Sequence, residues 1–214
     1  FLSNCEACRS AIPVGPEDHC LSFLPLSHVF ERMAGYYYPI LCGATISYAE
    51  RIDTAAENLI EVSPTVVCSV PRLFEKIYNR IFEQAHAGSA IKKKLFFWAK
   101  AVSIKVRSLE FKKQEISLGL KLQFKLAHIL VAKKIQKKLG GKLRFFISGG
   151  AALPKDIAEF FYAFGILILE GYGLTETSPV VACNATKAFK FGAVGRPVPG
   201  VDVKIADDGE ILVR

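Results

Sequence analysis

The chain has 214 residues, 51% apolar and 22% charged, which is enough to bury a full core and excludes intrinsic disorder. It holds no run of 18 or more uncharged apolar residues and no signal-peptide pattern at its start, so no membrane-spanning helix is expected. The net charge of +8 is uneven: between Lys92 and Arg144 sixteen Lys and Arg meet two Glu, while the remainder carries twelve basic and eighteen acidic residues.

Taken in chain order, short apolar runs rich in β-formers predict strands at Cys20–Leu26, Ala44–Tyr48, Thr65–Val70, Leu143–Ser148 and Ile166–Glu170. Between them, helical patterns cover about His28–Leu41, Thr54–Val62, Arg72–Ala87, Ser89–Gly140 in two or more pieces, and Lys155–Phe164. Strands apolar on both faces and alternating with helices predict an α/β fold, a largely parallel sheet with helices on both faces. After Pro179 the character changes. Val180–Cys183, Gly200–Ala206 and Glu210–Val213 read as short strands, with an Asp-Gly hairpin signal in "ADDGE". The expected division is therefore an α/β part at 1–179, holding a basic helical segment at 89–142, and the beginning of a small antiparallel β-barrel subdomain at 180–214. The opening without Met and the strand-like close at Gly209–Arg214 lead one to expect a longer parent protein.

Six cysteines lie in apolar context, and only Cys5 and Cys8 form a C-x-x-C. With no second Cys or His pair at zinc spacing, they read as reduced thiols of a cytosolic protein.

Four stretches carry chemistry. In "RFFISGGAALPKD" (Arg144–Asp156) a strand ends in Ser148-Gly149-Gly150-Ala151-Ala152 before a helix. Small residues there let backbone approach a ligand, and free N–H groups suit a phosphate or base edge. A plain tight turn would look the same, and no Gly-Lys-Ser/Thr follows to make a Walker loop. "GYGLTET" (Gly171–Thr177) has no third glycine at dinucleotide spacing. It offers Tyr172 as a stacking face, Thr175 as a hydroxyl donor and Glu176 as a carboxylate able to hold Mg²⁺. Two glycine-rich strand ends about twenty residues apart favour a shared nucleotide site. His28, in "FLPLSHVFERMAGYYYPILCGATISYAE" (Phe23–Glu50), follows a strand end, either as a titratable side chain facing the cleft or as a helix cap. "KFGAVGRPVPGVDVKI" (Lys190–Ile205) reads as rigid turn chemistry.

Together these stretches, with "VPRLFEKI" (Val70–Ile77), resemble the AMP-forming acyl-CoA synthetases of the adenylate-forming ligase superfamily. The likeness is closest to long-chain fatty acid–CoA ligases. It covers essentially the whole chain and implies an acetyl-CoA synthetase-like fold, with this chain the central part of the large N-terminal domain. It implies an enzyme that joins a long-chain fatty acid to CoA through acyl-AMP, with ATP, Mg²⁺ and CoA as cofactors. By resemblance Tyr172 and Gly173 meet the adenine, Thr175 the α-phosphate, and Glu176 the Mg²⁺. Gly149, Gly150 and Ala151 then lie along adenine and acyl group, His28 near the substrate carboxylate, and Val70, Arg72 and Phe74 along the acyl tunnel. The phosphate loop, ribose-binding Asp, hinge and catalytic Lys of the family have no counterpart here. A fatty acyl-AMP ligase, another acyl- or aryl-CoA ligase, and a membrane module without nucleotide affinity stay open.

The basic segment predicts one more property. Ile91, Leu95, Trp98, Val102, Val106 and Leu109 form a core-facing helical stripe, while Phe96, Phe97, Ile104 and Phe111 fall on the other side among Lys100 and Arg107. Lys121, Lys125, Lys133, Lys134, Lys137 and Lys138 continue the charge. Cations interleaved with exposed aromatics suit an anionic bilayer and a cytoplasmic protein with peripheral membrane contact. A solvated helix whose aromatics pack on other parts of the enzyme is the alternative, and no recognition motif supports nucleic acid.

Overall fold

The computed structural model describes all 214 residues. Helix α1 (Leu2–Cys8) precedes β1 (His19–Ser22). A π-helical turn (Glu31–Tyr37) and α2 (Tyr38–Cys42) lead to β2 (Thr45–Tyr48), and α3 (Ala55–Val62) leads to β3 (Val66–Ser69). Then come α4 (Pro71–Ala87), α5 (Ala90–Phe111), α6 (Leu118–Ala127), a second π-helical turn (His128–Ala132) and α7 (Lys133–Lys137). The chain continues through β4 (Phe145–Ser148), α8 (Lys155–Ala163) and β5 (Leu167–Gly173), then β6 (Val180–Cys183), β7 (Arg196–Pro197), β8 (Val203–Ile205) and β9 (Ile211–Val213). No helix is long and apolar enough to cross a membrane.

The sheet order is β2-β1-β3-β4-β5-β6-β7. Its first five strands are parallel, as the apolar runs predict, and each lies within or close to its expected span. Alternation sorts their side chains into two cores. Leu21, Val67, Phe146 and Ile168 point to the face covered by α3, α4, α5 and α8, whereas Cys20, Val66, Phe145 and Leu169 point to the face covered by α1, the first π-helical turn and α2. Asp18 ties the strand starts together. Its buried carboxylate accepts from Thr65 Oγ1 at 2.5 Å, from the Gly15 N–H at 3.0 Å and from the Arg144 guanidinium. Burial would push that carboxyl up, but the hydrogen bonds from Arg144, Thr65 and Gly15 prevail and hold it below its ordinary range.

Two expectations differ from the structure, at α1 and at α5. Helix α1 has no counterpart among them. The antiparallel character expected after Pro179 is present: β6 pairs antiparallel with β5 and β7 with β6, both at the edge of the main sheet. Only β8 and β9 stand apart, joined by the expected Asp-Gly turn with Gly209 at φ +89°. The buried side of α5 is also rotated from the predicted stripe: it comprises Phe96, Ala99, Val102, Ser103 and Val106, while Ile91 is exposed. Phe96 goes inward because aromatic neighbours wait there, Phe82 at 5.4 Å and Phe164 at 6.2 Å between ring centres. Phe97 packs on Phe82 and His86. Phe111 alone of the three stays half exposed, against Phe189 and Phe191.

Candidate active site

In a sheet of order 2-1-3-4-5 the chain leaves β1 and β3 in opposite directions, which opens a crevice beyond the carboxyl ends of the strands. Two adjoining cavities lie there. The first, of about 260 Å³, brings together Gly149, Gly150, Tyr172, Gly173, Thr175 and Glu176. The second, of about 560 Å³, is lined by Val70, Arg72 and Ala151, with Leu24, Pro25 and Glu75. His28, Phe30 and Gly150 border both. The sequence-predicted nucleotide cluster thus shares one cavity except for Ala151, which lines the neighbouring one, and His28 stands between the two. Phe74 borders neither: it is fully buried, edge-on to Phe146 and Phe161, and belongs to the core.

Local chemistry explains how each part is held. After β4 the chain turns through Gly150 at φ +82°, a backbone state that side-chain-bearing residues rarely adopt. The N–H groups of Gly150, Ala151 and Ala152 make no hydrogen bond within the chain, which leaves three consecutive donors at the cavity rim. β5 carries an irregularity at Tyr172/Gly173, and such bulges re-aim the side chains around them. Gly173 is required for close approach: a Cβ there would lie 1.9 Å from the Pro179 carbonyl oxygen. Beyond it Thr175–Thr177 form one 3₁₀ turn, in which Thr177 Oγ1 accepts from the Leu174 N–H at 3.0 Å. That turn leaves the Thr175 hydroxyl and Glu176 carboxylate exposed at the cavity, and Glu176 makes no ion pair. His28 Nδ1 accepts the Phe30 N–H at 3.2 Å, so the neutral ring carries its proton on Nε2.

A Mg²⁺ ion escorting a nucleotide is held by one or two carboxylates together with the phosphates, so the free Glu176 carboxylate in the first cavity, with the free Gly150 N–H at its border and those of Ala151 and Ala152 in the adjoining one, fits a metal–triphosphate ligand. The flat Tyr172 ring on the same wall fits a base.

Sequence reasoning missed Glu31. It is completely buried on the first π-helical turn, next to the cavity-lining Phe30, Met33 and Ala34. One carboxylate oxygen accepts from Ser22 Oγ at 2.5 Å, and Oε2 has no partner. Burial raises its pKa to about 7, against the opposing hydrogen bonds from Ser22 and the Phe23 backbone. Gly35 makes the room, since a Cβ there would sit 2.5 Å from the carboxylate. The paired Glu31 and Gly35, four apart on a helix, were the available signal. Cys8 and Cys183 also border the first cavity; the Cys183 side chain beside it, together with burial, pushes the Cys8 thiol up. All six cysteines are buried free thiols.

Fold and site together define a doubly wound α/β domain whose strand ends are built for a nucleotide. The family model described as AMP-binding enzyme matches residues 1–214, and the chain belongs to that family. Over 200 residues it is 38% identical to "Long-chain-fatty-acid--CoA ligase FadD15" of Mycobacterium bovis, covering 92% of this chain and 32% of that protein. It is 35% identical over 200 residues to "Long chain acyl-CoA synthetase 7, peroxisomal" of Arabidopsis thaliana, covering 92% and 27%. A benzoate CoA ligase from Burkholderia xenovorans LB400 shares the fold, with a TM-score of 0.61 at 24% identity over 98% of this chain and 34% of that one. The chain spans about a third of the length of the curated relatives it matches.

Proposed function

We propose that the protein activates a long-chain fatty acid with ATP to acyl-AMP and passes the acyl group to CoA. The observation that carries this is the pair of adjoining cavities meeting at His28 and Gly150, one bearing the nucleotide cluster and the other open toward Val70 and Ala151. A fatty carboxylate lying in the second cavity meets the α-phosphate at their shared border. A carboxylate oxygen attacks the α-phosphorus, the bond to the β-phosphate bridge breaks, and pyrophosphate leaves. CoA thiolate then attacks the acyl carbon, the carbon–oxygen bond of the mixed anhydride breaks, and AMP leaves.

The obstacle is electrostatic, because an anion must approach an anion. The Thr175 hydroxyl and the N–H groups of Gly150, Ala151 and Ala152 donate to the phosphates, and His28 Nε2–H donates toward the carboxylate border. Glu176 would hold Mg²⁺, which when bound neutralises phosphate charge as a Lewis acid. Tyr172 and Gly173 hold the adenine, and Val70, Arg72 and Ala151 direct the acyl chain. The named functions of the relatives support this reading.

The basic segment at 92–144 supports a peripheral contact with an anionic membrane, and the six free thiols support a reducing, cytoplasmic setting. Pyrophosphate release by the full-length gene product is the test. It should require both ATP and a long-chain acid, and release that ignores the acid, or formation of ADP, would overturn the proposal.

A further inference from the structure

Helix α6 has two apolar faces. Leu120, Phe124 and Ala127, with Val131 one turn on, pack into the core. Leu118, Leu122 and Leu126 begin two residues earlier and therefore lie half a turn away, on the opposite side. They are 84%, 61% and 45% exposed, and Ile129 in the following turn is 47% exposed. A surface helix ordinarily turns charge outward, and a helix apolar all round is covered on both sides. Here Lys121 and Lys125 flank the outer leucines, with Lys133 and Lys134 beyond. All four are exposed, none makes an ion pair, and α6 contains no acidic residue.

We propose that α6 lies on an anionic lipid surface, with Leu118, Leu122 and Leu126 among the acyl chains and Lys121 and Lys125 at the headgroup phosphates. This rests on the reading that the basic segment meets a membrane, and it names the element that enters. Charge decides the occupant. A second copy of this face would set its lysines against their own kind, whereas an anionic bilayer complements the cations and takes up aliphatic side chains. The apolar contact moves accordingly from Phe96 and Phe97, which the core has taken, to the leucines of α6.

The test is co-sedimentation of the full-length gene product with equimolar phosphatidylglycerol–phosphatidylcholine vesicles. Changing Leu118, Leu122 and Leu126 to Ser should lower partitioning at least about tenfold at both low and physiological salt, because apolar burial is not screened. Changing Lys121 and Lys125 to Gln should lower it about tenfold at low salt and less at physiological salt. Neither variant should shift the thermal midpoint, and the serine variant should turn over detergent-dispersed palmitate at the wild-type rate. Wild-type partitioning by the serine variant would overturn the role of α6. If changing Lys133, Lys134, Lys137 and Lys138 to Gln then still weakened binding, the basic segment would keep its membrane role without α6; if it did not, both readings would fall. A lowered thermal midpoint or a changed oligomeric mass in the serine variant would show protein on the stripe and equally overturn the proposal.

Discussion

Glu31→Gln isolates the energetics of a completely buried carboxylate beside the site. In the folded protein its pKa is raised to about 7 by burial, against an ordinary 4.5. A raised acid binds more protons folded than unfolded, so its contribution is intact below the unfolded pKa and is lost as pH rises to about 7, with no further change above. Each pKa unit is worth about 1.4 kcal/mol, which makes the loss about 3 kcal/mol between pH 4.5 and 7. His128 works in the opposite sense in part of this window, because burial, Lys133 and Arg107 lower its pKa. The informative quantity is therefore the difference between wild type and Glu31→Gln, in which every other group cancels. Urea unfolding at half-unit steps from pH 4 to 8 should show wild type losing about 3 kcal/mol relative to the glutamine variant. Parallel profiles for the two proteins would refute a buried, proton-holding Glu31.

Other substitutions probe the remaining parts. Glu176→Gln should slow acyl-AMP formation at least about tenfold, read as pyrophosphate release at saturating Mg²⁺, while leaving the thermal midpoint in place. Asp18→Ala should cost about 3 kcal/mol in denaturant unfolding because it strands the Arg144 pair; in wild type that contribution is present above the ordinary carboxylate pKa and is lost as pH falls through the depressed one. Gly173→Ala should destabilise by about 2 kcal/mol or more and abolish equilibrium binding of ATP, since its Cβ collides with the Pro179 carbonyl. Phe74→Leu should lower the thermal midpoint without altering acyl chain-length preference, because Phe74 packs on Phe146 and Phe161 rather than lining a cavity.

The parallel sheet was legible because its strands are short apolar runs ending in turn residues, and this pattern is local. The juxtaposition of the residues proposed for the nucleotide was legible for a related reason: Gly149-Gly150 and Gly171–Glu176 both sit where strands stop, and the sheet order then makes them neighbours. Orientation was not local. Phe96 and Phe97 adjoin on α5, and which side turns inward is decided by Phe82, Phe160 and Phe164 from α4 and the end of α8. The outer leucines of α6 escaped notice for the same reason, since two apolar stripes on one helix leave its buried side undetermined. Glu31 was hidden because a polar residue in an amphipathic pattern reads as solvent-facing until Ser22 and Gly35 are seen against it.

The most direct test of acyl-AMP chemistry follows atoms rather than rates. The full-length gene product, supplied with ATP, Mg²⁺, CoA and palmitate carrying heavy oxygen in its carboxylate, should yield AMP that has gained one labelled oxygen per acyl-CoA formed. Label appearing in inorganic phosphate, with ADP as the nucleotide product, would contradict attack on the α-phosphorus and with it the role assigned to the Tyr172–Glu176 site.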